Sequence, residues 1–131
     1  MAQVRYLLDT HALLWWLFDD PQLSVRARAI LADREYEVLV SSASAWEIAT
    51  KHRLGRLGSA APLIADFTGW VRRAGFGELP MASSHALRAG GWATAHRDPF
   101  DRMLAAQCVI DNLRLVSRDP VFAEFGLEPL W

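Results

Sequence analysis

Apolar residues follow two alternating rhythms along this chain. Val4-Arg5-Tyr6-Leu7-Leu8 is a short, nearly unbroken apolar run that stops at Asp9. Such a run predicts a strand buried on both faces. Residues 10–18 then have helical length. Asp20-Pro21 marks a turn or helix start, and Leu23, Ala27, Ile30 and Leu31 recur as one helix face. Residues 37–41 predict a second strand, and a helix opening at Ser44 reaches about Leu54. Residues 55–61 are the most loop-like of the chain. Pro62 opens a helix to Ala74, residues 77–80 read as a short strand or edge, and a short helix over 83–89 is stopped by Gly90-Gly91. The clearest helix runs from Asp98 to Ile110. A strand over 114–117 is broken by Asp119-Pro120, and the tail 125–131 has room for one more short strand. No repeat or low-complexity linker interrupts this order.

Strands alternating with helices predict an α/β fold, a sandwich of helices around a mostly parallel central sheet, with residues 1–131 as a single domain. Ligands of such sheets bind beyond the carboxyl ends of the strands. Asp9 ends the first strand, and Glu47 lies in the first turns of the helix after the second. Asp119 follows the strand over 114–117, and Asp101 lies in the first turn of the helix leading into it. All four acids can therefore reach one edge of the sheet.

Taken singly, these acids have structural readings. Ser44-x-x-Glu47 matches a capping box, and Glu47 can pair with Lys51 one turn on. Asp98-Pro99 reads as an N-cap followed by Pro at the first helical position. Asp101 then complements the helix dipole, and Asp119-Pro120 is a turn. Asp9 and Asp101 fit that reading worse. Asp9 stands between an apolar strand and an apolar helix, and Asp101 shares a helix face with Leu104, Ala105 and Cys108. Buried carboxylates are unfavourable unless paired, protonated or bound to a cation. Taken together, the acids form an oxygen-only anionic site of the kind Mg²⁺ or Mn²⁺ prefers, suited to phosphodiester hydrolysis.

Composition adds bounds. The chain has 131 residues, 52% apolar and 22% charged, with a net charge of −1. That balance is globular, and global charge does not announce a nucleic-acid binder. Thirteen of the 14 basic residues are arginines. The single cysteine, Cys108, excludes an internal disulfide and a Cys-based zinc site, and its apolar surroundings read as a small buried hydrophobe. Neither a leader nor a membrane-spanning apolar run is visible, which predicts a soluble, cytoplasmic protein with no membrane partner.

The stretches Leu7-Leu8-Asp9-Thr10-His11, Ser44-Ala45-Trp46-Glu47-Ile48, Asp98-Pro99-Phe100-Asp101-Arg102 with Ala105-Ala106, and Val116-Ser117-Arg118-Asp119 occur in this order. Their spacing resembles a PIN domain, and more narrowly the toxin subunit of bacterial VapBC-type toxin–antitoxin modules. The resemblance covers nearly the whole chain. It implies a PIN-like fold, a divalent-metal endoribonuclease acting on RNA, a homodimer, and a cognate antitoxin that wraps the toxin and blocks its site. Asp9 matches the first acidic position, Glu47 the second, Asp101 the third and Asp119 the fourth. Asp98 is an extra acid of the subgroup with a stretch like His96 to Arg102. Asp101 is the favoured direct metal ligand of that pair, because the helix period turns it toward the apolar stripe. Asp9, Asp101 and Asp119 are implied to hold metal. Glu47 is implied to ligate it or to help deprotonate the attacking water. Ser117 keeps a hydroxyl where the family often has Thr. Products would carry 5′-phosphate and 3′-hydroxyl ends, so RNA preference comes from binding.

Other residues carry weaker signals. His11 and His96 each stand near an acid, with a structural or partner-binding role favoured over a phosphate contact. Arg97, Arg102 and Arg118 flank the acids and suit either RNA phosphates or solvent. Trp46 and Trp70 read as core. Trp15 and Trp16 are adjacent, so one is expected to face outward, toward a second subunit or an antitoxin helix; their place early in an apolar helix argues against base stacking. Two rival functions stay open. One is a phosphatase with Asp9 as nucleophile, although that pattern wants a second Asp where this chain has His11. The other is a catalytically idle PIN-like module that only holds partners.

Overall fold

The computed structural model describes residues 3–131. They run β1 (Arg5–Leu8), α1 (Thr10–Leu17), α2 (Val25–Ala32), β2 (Glu37–Ser41), α3 (Ser42–Arg53), α4 (Ala61–Ala65), α5 (Phe67–Arg73), β3 (Gly77–Leu79), α6 (Ser83–Gly91), α7 (Pro99–Asp111) and β4 (Arg114–Val116), with short 3-10 turns at Gly58–Ala60 and Pro120–Phe125. The four strands form one sheet in the order β3-β2-β1-β4, and every pairing is parallel. The α/β sandwich read from the sequence is therefore the observed one.

Alternation within the strands explains the layers. Tyr6 and Leu8 of β1 join Val38, Val40 and Val116 in one apolar cluster, packed with Leu13, Leu31 and Val71. Leu7, Leu39 and Leu115 point the other way and pack with Leu104, Ala105 and Cys108 of α7. Both faces are covered along β1, β2 and β4, which are apolar at their inner positions, while the edge strand β3 stays largely exposed. β1 lies between β2 and β4: from it the chain winds outward to β2 and β3, then returns past its start to β4. This reversal opens a crevice at the carboxyl end of β1, where Asp9 follows.

Five local expectations are corrected. The helix expected over 62–74 is broken at Asp66 (φ −147°, ψ 59°), whose side chain accepts from the Gly69 N–H and caps α5. Helix α6 takes in both glycines and ends at Gly91 instead of at Ala89. The Arg102 side chain supplies donors to the carbonyls of Ala89 and Trp92 at this helix end, replacing partners a free terminus would lack. The tail adds only a single parallel bridge, Val116 to Leu130, instead of a strand. Among the tryptophans, Trp46 is 52% exposed, edge-on to Phe100, and so is not core. Trp15 and Trp16 are both half-buried against the larger cluster, so neither is turned fully outward, and Trp70 packs at that cluster's border. Among the described residues no helix is long and apolar enough to cross a membrane.

Candidate active site

Asp9 is the N-cap of α1. Its N–H extends the sheet by donating to the Val116 carbonyl at 3.1 Å, and its carboxyl accepts from the Ala12 N–H at 2.7 Å. The residue is 6% exposed. Burial pushes its carboxyl above the usual carboxylate range; hydrogen bonds from Ser117 and Ala12 oppose the rise, and the Glu47 charge adds to it. The buried Ser117 hydroxyl also accepts from the Asp119 N–H at 3.0 Å. Ser117 thus stands beside the first acid and holds the segment carrying the fourth.

Glu47 is reached through α3, which starts two residues earlier than expected. Its N-cap is Ser41, accepting from the Ala43 N–H at 3.0 Å, so Ser44-x-x-Glu47 is not a capping box. Ser44 is instead buried inside the helix and accepts from the Thr10 hydroxyl at 2.9 Å. That bond docks the start of α1 on α3 and turns Glu47, one turn further on, into the interior beside Asp9. Glu47 is buried and ion-paired with Lys51 four residues on, as the spacing suggested.

Asp101 stands in the first turn of α7, with its side chain about 20% exposed. Its carboxylate bonds His96 Nε2 at 2.9 Å. Burial raises its pKa to about 6; His96 opposes the rise, and the charges of Asp98 and Glu47 add to it. Asp98 is the N-cap of α7, with one oxygen accepting from the N–H groups of Phe100 (2.8 Å) and Asp101 (3.3 Å). Asp119 is exposed and caps the 3-10 turn through the Val121 N–H at 3.0 Å.

Burial is the leading cause of the rise at both Asp9 and Asp101, and the Glu47 charge adds a smaller share to each. Asp119 shares a cleft of about 350 Å³ with Asp9, His11, Trp15, Arg118 and Pro120. Among the described residues no three His, Cys, Asp or Glu side chains stand as a set placed to hold a metal ion. Each inner acid has its own protein partner: Lys51 for Glu47, His96 for Asp101, Ala12 and Ser117 for Asp9.

Arg102 does something the sequence did not suggest. It neither faces RNA nor floats in solvent. Its guanidinium donates to the carbonyls of Ala89 (2.7 Å), Thr94 (3.2 Å), His96 (2.7 Å) and Trp92 (2.6 Å). It thereby shapes the loop that delivers His96 to Asp101. The acceptors are all main-chain groups, which leave no mark in residue type. Arg102→Ala is expected to lower the unfolding free energy by about 2–4 kcal/mol, since bonds to a charged group contribute about 1.5–3 kcal/mol each and are not additive. Urea denaturation measures it. A loss within about 0.5 kcal/mol, as for ordinary surface substitutions, would show that the loop holds itself. Cys108, as expected, is buried, and burial pushes its thiol up to about 12.

A parallel α/β sandwich with buried acids gathered at the switch point of its sheet is the class of protein that this fold and site define. The chain belongs to the PIN-domain family, whose model matches residues 6–127. Among curated proteins of Mycobacterium tuberculosis, it is 39% identical to ribonuclease VapC16 over 70 residues, which is 53% of this chain and 44% of that protein. It is 28% identical to ribonuclease VapC22 over 116 residues, 86% of this chain and 85% of that protein. The chain thus matches less than half the length of the first relative and most of the second. The fold matches the structure of VapBC2 from Rickettsia felis, bound to a promoter DNA fragment, with a TM-score of 0.68 at 14% identity; the match covers 96% of this chain and 98% of that one. FitAcB from Neisseria gonorrhoeae matches with a TM-score of 0.68 at 20% identity and 96% of each chain.

Proposed function

We propose that this protein is a divalent-metal-dependent endoribonuclease, the toxin of a toxin–antitoxin pair, with residues 1–131 forming one nuclease domain. The carrying observation is the pair of buried acids Asp9 and Glu47 with part-buried Asp101, where the Glu47 charge reaches both aspartates, at the carboxyl edge of a PIN-family sheet. The similarity to VapC ribonucleases supports the reaction, and the likeness to the VapBC2 structure supports the antitoxin partner. A cytoplasmic homodimer acting on RNA completes the reading.

The donor chemistry suits a hard cation, being oxygen-only, anionic and partly dehydrated with two carboxyls held above their usual range. The side chains, now turned to Lys51, His96 and Ala12, would have to swing onto it, because no three of them stand as a set among the described residues. Asp9, Asp101 and Asp119 would hold Mg²⁺, or Mn²⁺ in its place, with Asp98 beside them and Glu47 sharing the site. When bound, the cation supplies positive charge for the phosphodiester oxygens. The chain's own residues do the rest. Glu47, buried and with its charge felt by both aspartates, takes the proton of the attacking water. Lys51 shares the Glu47 carboxylate, and His96 orients Asp101. Water adds to phosphorus as the bond to the 3′-oxygen breaks and that oxygen gains a proton, leaving 5′-phosphate and 3′-hydroxyl ends.

The buried, hydrogen-bonded Asp9 suits this role better than that of a covalent nucleophile, which needs an accessible carboxylate. The purified protein, free of antitoxin, is expected to cut RNA with Mg²⁺ or Mn²⁺ and to stop in EDTA. Cleavage that persists in EDTA would remove the metal from the reaction. Light scattering at micromolar concentration checks the dimer, and a lasting monomer of 14.7 kDa would contradict it.

A further inference from the structure

The arginines of this chain differ in how far their donors are already used. Arg102 spends its guanidinium on four carbonyls, and Arg28 and Arg73 pair with Asp19 and Asp66. Of the arginines whose donors stay largely unused, Arg118 is the one that lines the cleft of Asp9 and Asp119. It is exposed, forms no salt bridge among the described residues, and has one long bond to Gln22 at 3.4 Å. Its guanidinium carbon lies 4.6 Å from the centroid of the Trp15 ring. Attraction to an aromatic face consumes no N–H donor, so a guanidinium held this way keeps its planar fork for a phosphate.

Trp15 is itself held in place. Trp131 meets it edge-on with ring centroids 5.7 Å apart, and its body packs on the larger core cluster. Exposed His11 lies along it, with centroids 5.6 Å apart and planes tilted by 31°. These groups line the same cleft as Asp9 and Asp119, and its volume of about 350 Å³ lies at the small end of ligand sites. The cleft thus combines a fixed aromatic wall, a planar cation and the edge of the acid cluster. A free anion is poorly served there, because Asp9 and Asp119 repel it. A nucleotide within a strand, whose neighbouring phosphate lies at the acids, fits all three features.

We propose that His11, Trp15 and Arg118 form the subsite for the RNA nucleotide next to the scissile phosphate. Arg118, braced on the Trp15 face, binds its phosphate, and exposed His11 on the same wall stacks on its base. This rests on the ribonuclease reading above; it gives His11 a substrate contact in place of the structural or partner-binding role expected from the sequence, with Trp15 as the brace behind it. Stacking tolerates any base, so the subsite supplies affinity and single-strand preference more than sequence choice.

The test is fluorescence anisotropy of a labelled, mixed-sequence single-stranded 12-mer RNA, read in EDTA so that no cleavage intervenes. A duplex of the same sequence serves as the comparison. Arg118→Ala and His11→Ala are both exposed changes and should fold; each is expected to weaken single-strand binding by on the order of tenfold, and the duplex much less. Arg118→Lys keeps the charge and loses the planar fork, so it should recover only part of the loss. Trp15→Phe, which keeps a stacking face, should bind better than Trp15→Leu. Arg26→Ala, on exposed α2, should leave binding unchanged. If Arg118→Ala and His11→Ala bind the strand as the parent does, or if Arg26→Ala loses as much, the subsite is wrong while the nuclease reading stands. If the parent shows no RNA binding in EDTA or with Mg²⁺, both fall together.

Discussion

Asp9→Asn is expected to slow RNA cleavage by about 100- to 1000-fold at saturating Mg²⁺, the usual loss when one fixed electrostatic group is removed from a reacting centre. The same variant should fold at least as well as the parent. Asn caps a helix about as well as Asp, so the bond from the Ala12 N–H survives in kind. The sign of the charge effect follows from burial. A carboxyl held above its ordinary range binds its proton more tightly in the folded chain than in the unfolded one. It therefore adds stability at low pH and loses it as pH rises through the folded value. Asn removes a charge that is unfavourable at neutral pH. Single-turnover cleavage and a thermal melt on the same preparation separate activity from folding. An active Asp9→Asn would place the reaction elsewhere; an inactive one that melts well below the parent would make Asp9 a structural cap.

Asp101→Asn is expected to change the pH dependence of stability. The ordinary value of 3.8 rises to about 6 in the folded chain. Folded protein therefore binds more protons than unfolded protein between these values, and stability falls as pH rises across that window. A shift of roughly two units corresponds to about 3 kcal/mol, or on the order of 10 °C in melting temperature for a domain of this size. In EDTA, the melting temperature of the variant relative to the parent should rise by about that much from pH 4 to pH 7. Mn²⁺ in millimolar excess should raise the parent's melting temperature by mass action and the variant's much less. Asp98→Asn is the internal comparison: Asn keeps the cap, so both the pH trend and the metal response should persist. Scanning fluorimetry on the three proteins is enough. A constant offset between Asp101→Asn and the parent, with equal gains from Mn²⁺, would make Asp101 structural. Loss of the metal response in Asp98→Asn alone would exchange the roles of the two aspartates.

The sequence determined the parts of this protein that depend on local order. β1 was legible because a strand buried on both faces must be apolar throughout, and Asp9 stood out by ending one. α7 was legible from Asp98-Pro99 and the spacing of Leu104, Ala105 and Cys108, and the Glu47–Lys51 pair from a four-residue interval. The alternation of strands with helices implied a parallel sheet, and a parallel sheet gathers residues at one edge. Tertiary structure alone decided what each acid meets. The bond from Thr10 to Ser44 spans 34 residues, the Asp9 N–H reaches β4, and the four carbonyls of Arg102 are invisible in residue type. It also decided that α6 runs through two glycines, that Trp46 lies exposed, and that Trp15 carries Arg118 beside the acids. Periodicity records which face of an element is apolar, because that face is set within a turn or two. Which element comes to cover that face, and which polar group it brings, depends on how distant segments cross.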